Sequence, residues 1–224
     1  MKSILRIILL LIISINGVGN KNLDSLEIYY QNNEIKHAIR FIESIDFERL
    51  KTDDAFEVYR KAVEIFIIAK SFDKATKYYD YAIELDNLSE QQEAILNLSK
   101  ANILLKMGKL REVEPFLHEV EKYVQVAPHD STFLMKYNLT LVFYHDESGR
   151  YKEAMQYATE MLKYMQRSQD LESRASLFIT VGEIFRRNNL YEKALYYYQK
   201  AEEIAKEQKY LGLLGKIYNN QSII

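Results

Sequence analysis

Two consecutive stretches decide the fold. They are Val181-Gly-Glu-Ile-Phe185 and, after a break at Asn188-Asn189, Leu190-Tyr-Glu-Lys-Ala194-Leu-Tyr-Tyr-Tyr198-Gln-Lys-Ala201. Tyr191, Ala194, Tyr198 and Ala201 stand at offsets of 0, 3, 7 and 10, which is one face of an α-helix. Phe178, Val181, Gly182 and Phe185 share a face on the segment before it. The small residues Gly182 and Ala194 let two helix backbones cross closely, and the aromatics a turn away fill the space beside the crossing. Asn188-Asn189 suits the join, because Asn tolerates the left-handed conformation that ends a helix.

Working outward, the second of these helices recurs. Segments beginning at Glu34, Ser71, Lys109 and Arg150 align with Leu190–Ala201. Their opening apolar residues are Ile35, Phe72, Leu110, Tyr151 and Tyr191, at intervals of 37, 38, 41 and 40. Three residues on stand Ala38, Ala75, Val113, Ala154 and Ala194. Seven on stand Ile42, Tyr79, Leu117, Ala158 and Tyr198, and ten on Ile45, Ala82, Val120, Met161 and Ala201. Each copy has a partner helix upstream, marked by Tyr59, Ala62, Val63 and Phe66, by Ala101 and Leu104, and by Tyr137, Thr140, Leu141 and Tyr144. Turns are expected at Asn33-Glu34, Gly108-Lys109 and Gly149-Arg150, whereas Lys70-Ser71 offers neither Gly nor Asn. Ser89-Glu-Gln-Gln92 is a capping box that opens a helix. Pro115 falls near a helix start, where it perturbs only locally, and Pro128 falls between repeats.

Composition agrees. The chain has 224 residues, 48% hydrophobic and 28% charged, with only 7 Gly and 2 Pro. That shortage argues against an all-β protein and against low-complexity disorder. With no Cys there is no disulfide, thiolate metal site or cysteine nucleophile. A net charge of −2 is no footprint for nucleic acid. The 18 Tyr at helical spacing are core and inter-repeat packing, not a base-stacking platform.

The motif Val181–Phe185 with Tyr191–Ala201 resembles the tetratricopeptide repeat (TPR) family, and Ala82-Ile-Glu-Leu-Asp86 resembles its usual repeat ending. The resemblance covers about residues 22–218. The family unit is 34 residues, so these repeats are longer by about one helical turn. It implies an all-α fold, a right-handed α-solenoid of antiparallel helix pairs, here about five pairs plus an unpaired C-terminal helix over residues 20–224. It also implies that first helices line a groove for an extended or helical peptide, hence a non-catalytic protein-interaction scaffold with a protein or peptide partner. Taking the face opposite the packing residues, the groove carries Arg60, Glu64, Ile67, Leu98, Asn102, Leu105, Asn138, Val142, Ile179, Glu183, Arg186 and Arg187. Asn amides suit a peptide backbone. Arg186 and Arg187 either grip a carboxylate or phosphate, or favour a helix C-terminus. The chaperone-type carboxylate clamp has Lys and Asn on its first repeat; Arg60 and Glu64 stand there instead, and that specificity is not implied.

No residue pattern argues for catalysis. There is no HExxH, no Gly-x-Ser-x-Gly and no phosphate-cradling loop. His118 with Glu114 and Glu121 reads as a solvated helix face, His129 as a loop residue and His145-Asp146-Glu147 as a polar helix terminus. No metal, catalytic residue or cofactor is expected. Asn87, Asn97, Asn138 and Asn220 match the glycosylation acceptor pattern weakly.

The ends carry their own expectations. Lys2 and Arg6, the apolar run Ile7–Ile13 and Gly17-Val18-Gly19 form the pattern of a signal peptide over residues 1–19. The run is too short to span a bilayer. Cleavage would leave a net charge of −4 and an exported, periplasmic or extracellular protein; a retained segment would be an amphipathic anchor or a buried first helix of a cytoplasmic adaptor. Leu211–Tyr218 reads as the first helix of a further pair whose partner is missing. Its Leu211, Leu214, Ile217 and Tyr218 are then a self-association surface, or the chain is a piece of a longer membrane-anchored sensor or regulator. Membrane contact is expected only through an uncleaved signal or a missing segment.

Overall fold

The computed structural model describes residues 21–127, 131–165 and 170–224. The expected signal peptide, Pro128 and His129 lie outside them. The described residues hold eleven α-helices and no strand. They divide into two compact units, Met1–Met107 and Gly108–Ile224. The first contains α1 (Lys21–Gln31), α2 (Ile35–Ser44), a single 3-10 turn (Phe47–Arg49), α3 (Thr52–Ile68), α4 (Phe72–Ile83) and α5 (Glu90–Lys106). The second contains α6 (Leu110–Val126), α7 (Ser131–Glu147), α8 (Tyr151–Met165), α9 (Leu171–Arg187), α10 (Tyr191–Glu207) and α11 (Leu211–Gln221). All five expected openers, Ile35, Phe72, Leu110, Tyr151 and Tyr191, are the first residues of their helices.

The turns follow one plan. Asn33, Gly108, Gly149 and Asn189 adopt φ between 57° and 72°, as expected. Lys70 and Lys209 do the same, at 57° and 59°. At five of these turns the amide that follows reaches back five residues, as Glu34 N to the Tyr29 carbonyl at 2.8 Å, Ser71 N to Phe66 at 2.9 Å and Leu190 N to Phe185 at 2.9 Å. That bond caps carbonyls a helix end leaves bare. It forces Lys70 into a conformation that costs a side-chain-bearing residue roughly 1 kcal/mol. The pairing geometry, not the residue, sets this turn.

Within the first unit, α3 packs on α4 and touches α1, α2 and α5. Its core is Leu26, Ala38, Ile42, Phe56, Val63, Phe66, Ala75, Tyr79 and Ala82, joined by Leu96 and Ile103 of α5. The expected capping box starts α5: Gln92 N donates to Ser89 Oγ at 3.3 Å and Ser89 N to Gln92 Oε1 at 2.9 Å. In the second unit, α7 pairs with α8 and α9 with α10, and α11 packs on both α9 and α10. Helix α6 runs through Pro115 unbroken. The crossing of α9 and α10 is as tight as its small residues suggest. A Cβ on Gly182 would lie 2.6 Å from Tyr198 Cε1 and 3.2 Å from the Ala194 carbonyl.

Helix α11 departs from expectation in how it faces. Ile217 and Leu213 are buried in the core of the second unit, and Leu214 packs against it. Ile217 is therefore no part of an open surface, and Leu214 contributes little to one. The stripe named for self-association is mostly the stripe that docks α11 onto the preceding pair. Leu211 (78% exposed) and Tyr218 remain on the outside, and the Tyr218 hydroxyl donates to Glu202 of α10 at 3.1 Å.

Candidate partner-binding face

The first helices of the pairs carry the expected groove residues, and burial sorts them. Leu98, Asn138, Val142 and Ile179 are buried. They are corrected to packing positions. Val142 stands nine residues before Tyr151, as Gly182 stands nine before Tyr191, so it is a helix-crossing residue. A stacked repeat buries its first helix against more than its own partner, so the apolar arc is wider than one pairing requires. Arg60, Glu64, Ile67, Asn102, Leu105, Glu183, Arg186 and Arg187 keep solvent access. The two Asn amides both turn inward: Asn102 donates to the Leu98 carbonyl at 3.0 Å and Asn138 to that of Leu134 at 2.8 Å. Such bonds to the preceding turn are a local option for Asn.

In the first unit the accessible side chains sit in a charge network. Arg60 binds Glu57 at 2.7 Å and Glu64 at 3.1 Å. Burial works against its charge, but Glu64 and Glu57 outweigh it and hold the guanidinium above its ordinary pKa. Lys61, its side chain only 7% exposed, crosses from α3 to Glu27 of α1 at 2.6 Å. It also meets Glu64 at 3.6 Å and lies 4.0 Å from the centre of the Tyr30 ring. A buried ammonium needs partners of this kind. Three carboxylates thus share two cations.

In the second unit the network has another composition. Arg187 binds Asp146 of α7 at 2.6 Å, Glu183 at 3.1 Å and Glu147 at 3.6 Å. Its guanidinium is therefore held by three carboxylates and is not an open grip for an anion. The Asp146 side chain is 2% exposed. Burial lifts its carboxyl above the ordinary pKa, although Arg187 pulls the other way. In the expected polar terminus His145-Asp146-Glu147, Glu147 is exposed, His145 is half-buried and Asp146 is buried. His145 stacks on Tyr157 at 5.2 Å, and burial, then Arg150, lowers its imidazole pKa, which favours the neutral ring. Tyr198 is fully buried; burial raises its phenol, and its hydroxyl lies in the field of Arg186, Glu183 and Arg187.

Sequence reasoning took Asp146 only as part of a polar helix terminus and missed Lys61. A signal for Asp146 was present: it stands five residues before Tyr151, as Leu105 and Arg186 stand five before Leu110 and Tyr191. Among the described residues no three His, Asp or Glu side chains gather as a metal set, and His118 pairs only loosely with Glu121 at 3.7 Å. No described helix is long and apolar enough to cross a membrane.

Comparison with solved structures supports the fold class. The chain is similar to BtubC (BKLC) from P. vanneervenii, with 15% identity and a TM-score of 0.61 over 83% of this chain and 79% of that one. It is similar to a signal transduction ATPase with numerous domains (STAND) from Pyrococcus horikoshii, which has a tetratricopeptide repeat sensor, with 18% identity and a TM-score of 0.67 over 92% of this chain. It spans only 34% of that protein's length. A third neighbour is MamA from Desulfovibrio magneticus RS-1, with 14% identity and a TM-score of 0.50 over 84% of this chain and 94% of that one. No protein-family model and no curated protein sequence matches the chain. The fold is all-α, of the tetratricopeptide-repeat type.

Proposed function

We propose that the chain is a non-catalytic interaction scaffold that holds a peptide or protein segment against the first helices of its repeats. One observation carries this reading. Eight residues before each second-helix opener, α3, α5 and α9 present a polar side chain with solvent access, Glu64, Asn102 and Glu183. Within the first unit the register falls on both α3 and α5; within the second it falls on α9, and in α7 the position holds Phe143. The test is a selection of a random 12-residue peptide library (a length of about three helical turns) on the full chain. Selected peptides are then titrated against the separate variants Asn102→Ala and Arg186→Ala, with helix content followed by circular dichroism. Weaker binding at unchanged helicity is expected. Peptides that bind both variants as well as the parent defeat the assignment of the face.

The similarity to a STAND protein with a tetratricopeptide repeat sensor supports a second reading, a sensor module of a larger regulator. In either case the motif of residues 1–19 supports export, and mass spectrometry of the protein from its native host tests that. A mature N-terminus at residue 20 is expected; a retained Met1 would favour a cytoplasmic adaptor.

A further inference from the structure

Four buried side-chain nitrogen or oxygen atoms lack a hydrogen-bond partner among the described residues: His145 Nδ1, Asp146 Oδ1, Arg186 Nε and Tyr198 OH. All four belong to the second unit, at the last turn of α7, the last turn of α9 and the facing side of α10. An orphaned buried polar atom costs about 1–3 kcal/mol, so such a concentration calls for a reason. Three of the four border the Arg187 network. There, Asp146, Glu147 and Glu183 share a single guanidinium, and the most deeply buried carboxylate has one oxygen unmatched. The first unit has the same number of carboxylates, Glu27, Glu57 and Glu64, but answers them with two cations. Its second cation, Lys61, stands eleven residues before Phe72; eleven before Tyr191 stands Thr180. Glu147, Glu183 and Arg187, all at least partly exposed, are the side of the cluster that solvent reaches.

We infer that this cluster receives a basic side chain, lysine or arginine, from the segment the scaffold binds. The incoming cation supplies the charge that the network lacks and the donor that Asp146 Oδ1 lacks. Arg187 keeps Glu147 and Glu183 as partners while Asp146 is shared. Arg186 and Tyr198, whose side chains interact with each other, flank the cluster from α9 and α10. The inference rests on the scaffold reading above and narrows the partner to one with a basic residue.

The test is solution NMR of the isotope-labelled full chain at low ionic strength. The probe is acetyl-Ala-Ala-Arg-Ala-Ala-amide, compared with the same peptide carrying neutral citrulline. Saturable shifts at the amides of Asp146, Glu183 and Tyr198 are expected, with affinity about tenfold higher for arginine than for citrulline. The shifts should vanish in Asp146→Asn, which keeps the side chain's shape. Should that variant not fold, Glu183→Gln is the substitute, with weakened binding expected. Equal affinity for the two peptides, or shifts unchanged by these variants, would overturn the site. Library-selected peptides that bind without basic residues and ignore Asp146→Asn would also overturn it, yet leave the scaffold reading intact. A chain that selects no peptide but takes up the arginine probe at Asp146 would keep the site and remove the scaffold reading.

Discussion

The two charge networks are built from similar parts and differ in which sign is buried. In the first unit the buried group is a cation. Lys61 reaches Glu27 and Glu64 and lies over Tyr30, and the carboxylates around it are partly exposed, so water shares their charge. In the second unit the buried group is an anion, Asp146, and its one cation is spread over two further carboxylates. A buried lysine with two carboxylates is a finished cross-link between α1 and α3. A buried aspartate with half its acceptor capacity unused is an unfinished one between α7 and α9. Chemistry left incomplete inside a fold is what a ligand can complete.

The strongest way to break the comparison is to remove the cation on each side. Arg187→Ala leaves Asp146 buried without its counter-ion and should cost about 2–3 kcal/mol at neutral pH, toward the low end for a broken buried pair because Arg187 is partly exposed. Arg60→Ala should cost less than about 1 kcal/mol, since Glu57 and Glu64 can hydrate and Lys61 stays. Urea unfolding midpoints check both, and equal losses would erase the distinction between the networks. Next is packing at the equivalent crossing, which is Gly182 against Tyr198 in one unit and Val63 against Tyr79 in the other. Gly182→Ala should destabilise by roughly 1–2 kcal/mol, the steric clash exceeding the gain in helix propensity. A variant as stable as the parent would show that Tyr198 is free to shift.

Smaller effects sharpen the picture. Lys70→Gly relieves the left-handed strain and should raise stability by up to about 1 kcal/mol, read as a higher thermal midpoint. The pH dependence is subtler. Because the folded-state pKa of Asp146 is raised, the native protein holds that proton more tightly than the unfolded chain. Its contribution to stability is therefore greatest below the unfolded carboxyl pKa and is lost as pH rises through the folded value. Comparing Asp146→Asn with the parent across that window should show the parent gaining on the variant as pH falls. A parent that instead loses ground would place the Asp146 pKa below its ordinary value.

How much of this was legible in the sequence follows from the range of each interaction. The five openers, the capping box and the Gly182–Ala194 crossing were legible because helix periodicity and caps are local. The turn at Lys70 was not, because its left-handed φ is imposed by the helices it joins. The networks were not, because their bonds cross about one repeat: Arg187 and Asp146 are 41 residues apart. Two charges at that separation signify nothing until the repeat length and the helical register are both fixed. The buried groove residues failed for a related reason. Leu98, Asn138 and Val142 were placed by a helix wheel drawn for one neighbour, whereas each first helix has several.

The reach of these bonds also bears on time. Ser71 N to Phe66 and Leu190 N to Phe185 close over five residues, and α3–α4, α7–α8 and α9–α10 pair helices adjacent in the chain. A protein assembled from such near contacts has little loop entropy to overcome and belongs among fast folders. As the chain is synthesised, residues 21–107 hold the partners of their own core before residue 108 is added. The Gly108 turn is thus a boundary in the order of events as well as in packing: Lys61 has its carboxylates from the first unit alone, while Asp146 waits 41 residues for Arg187.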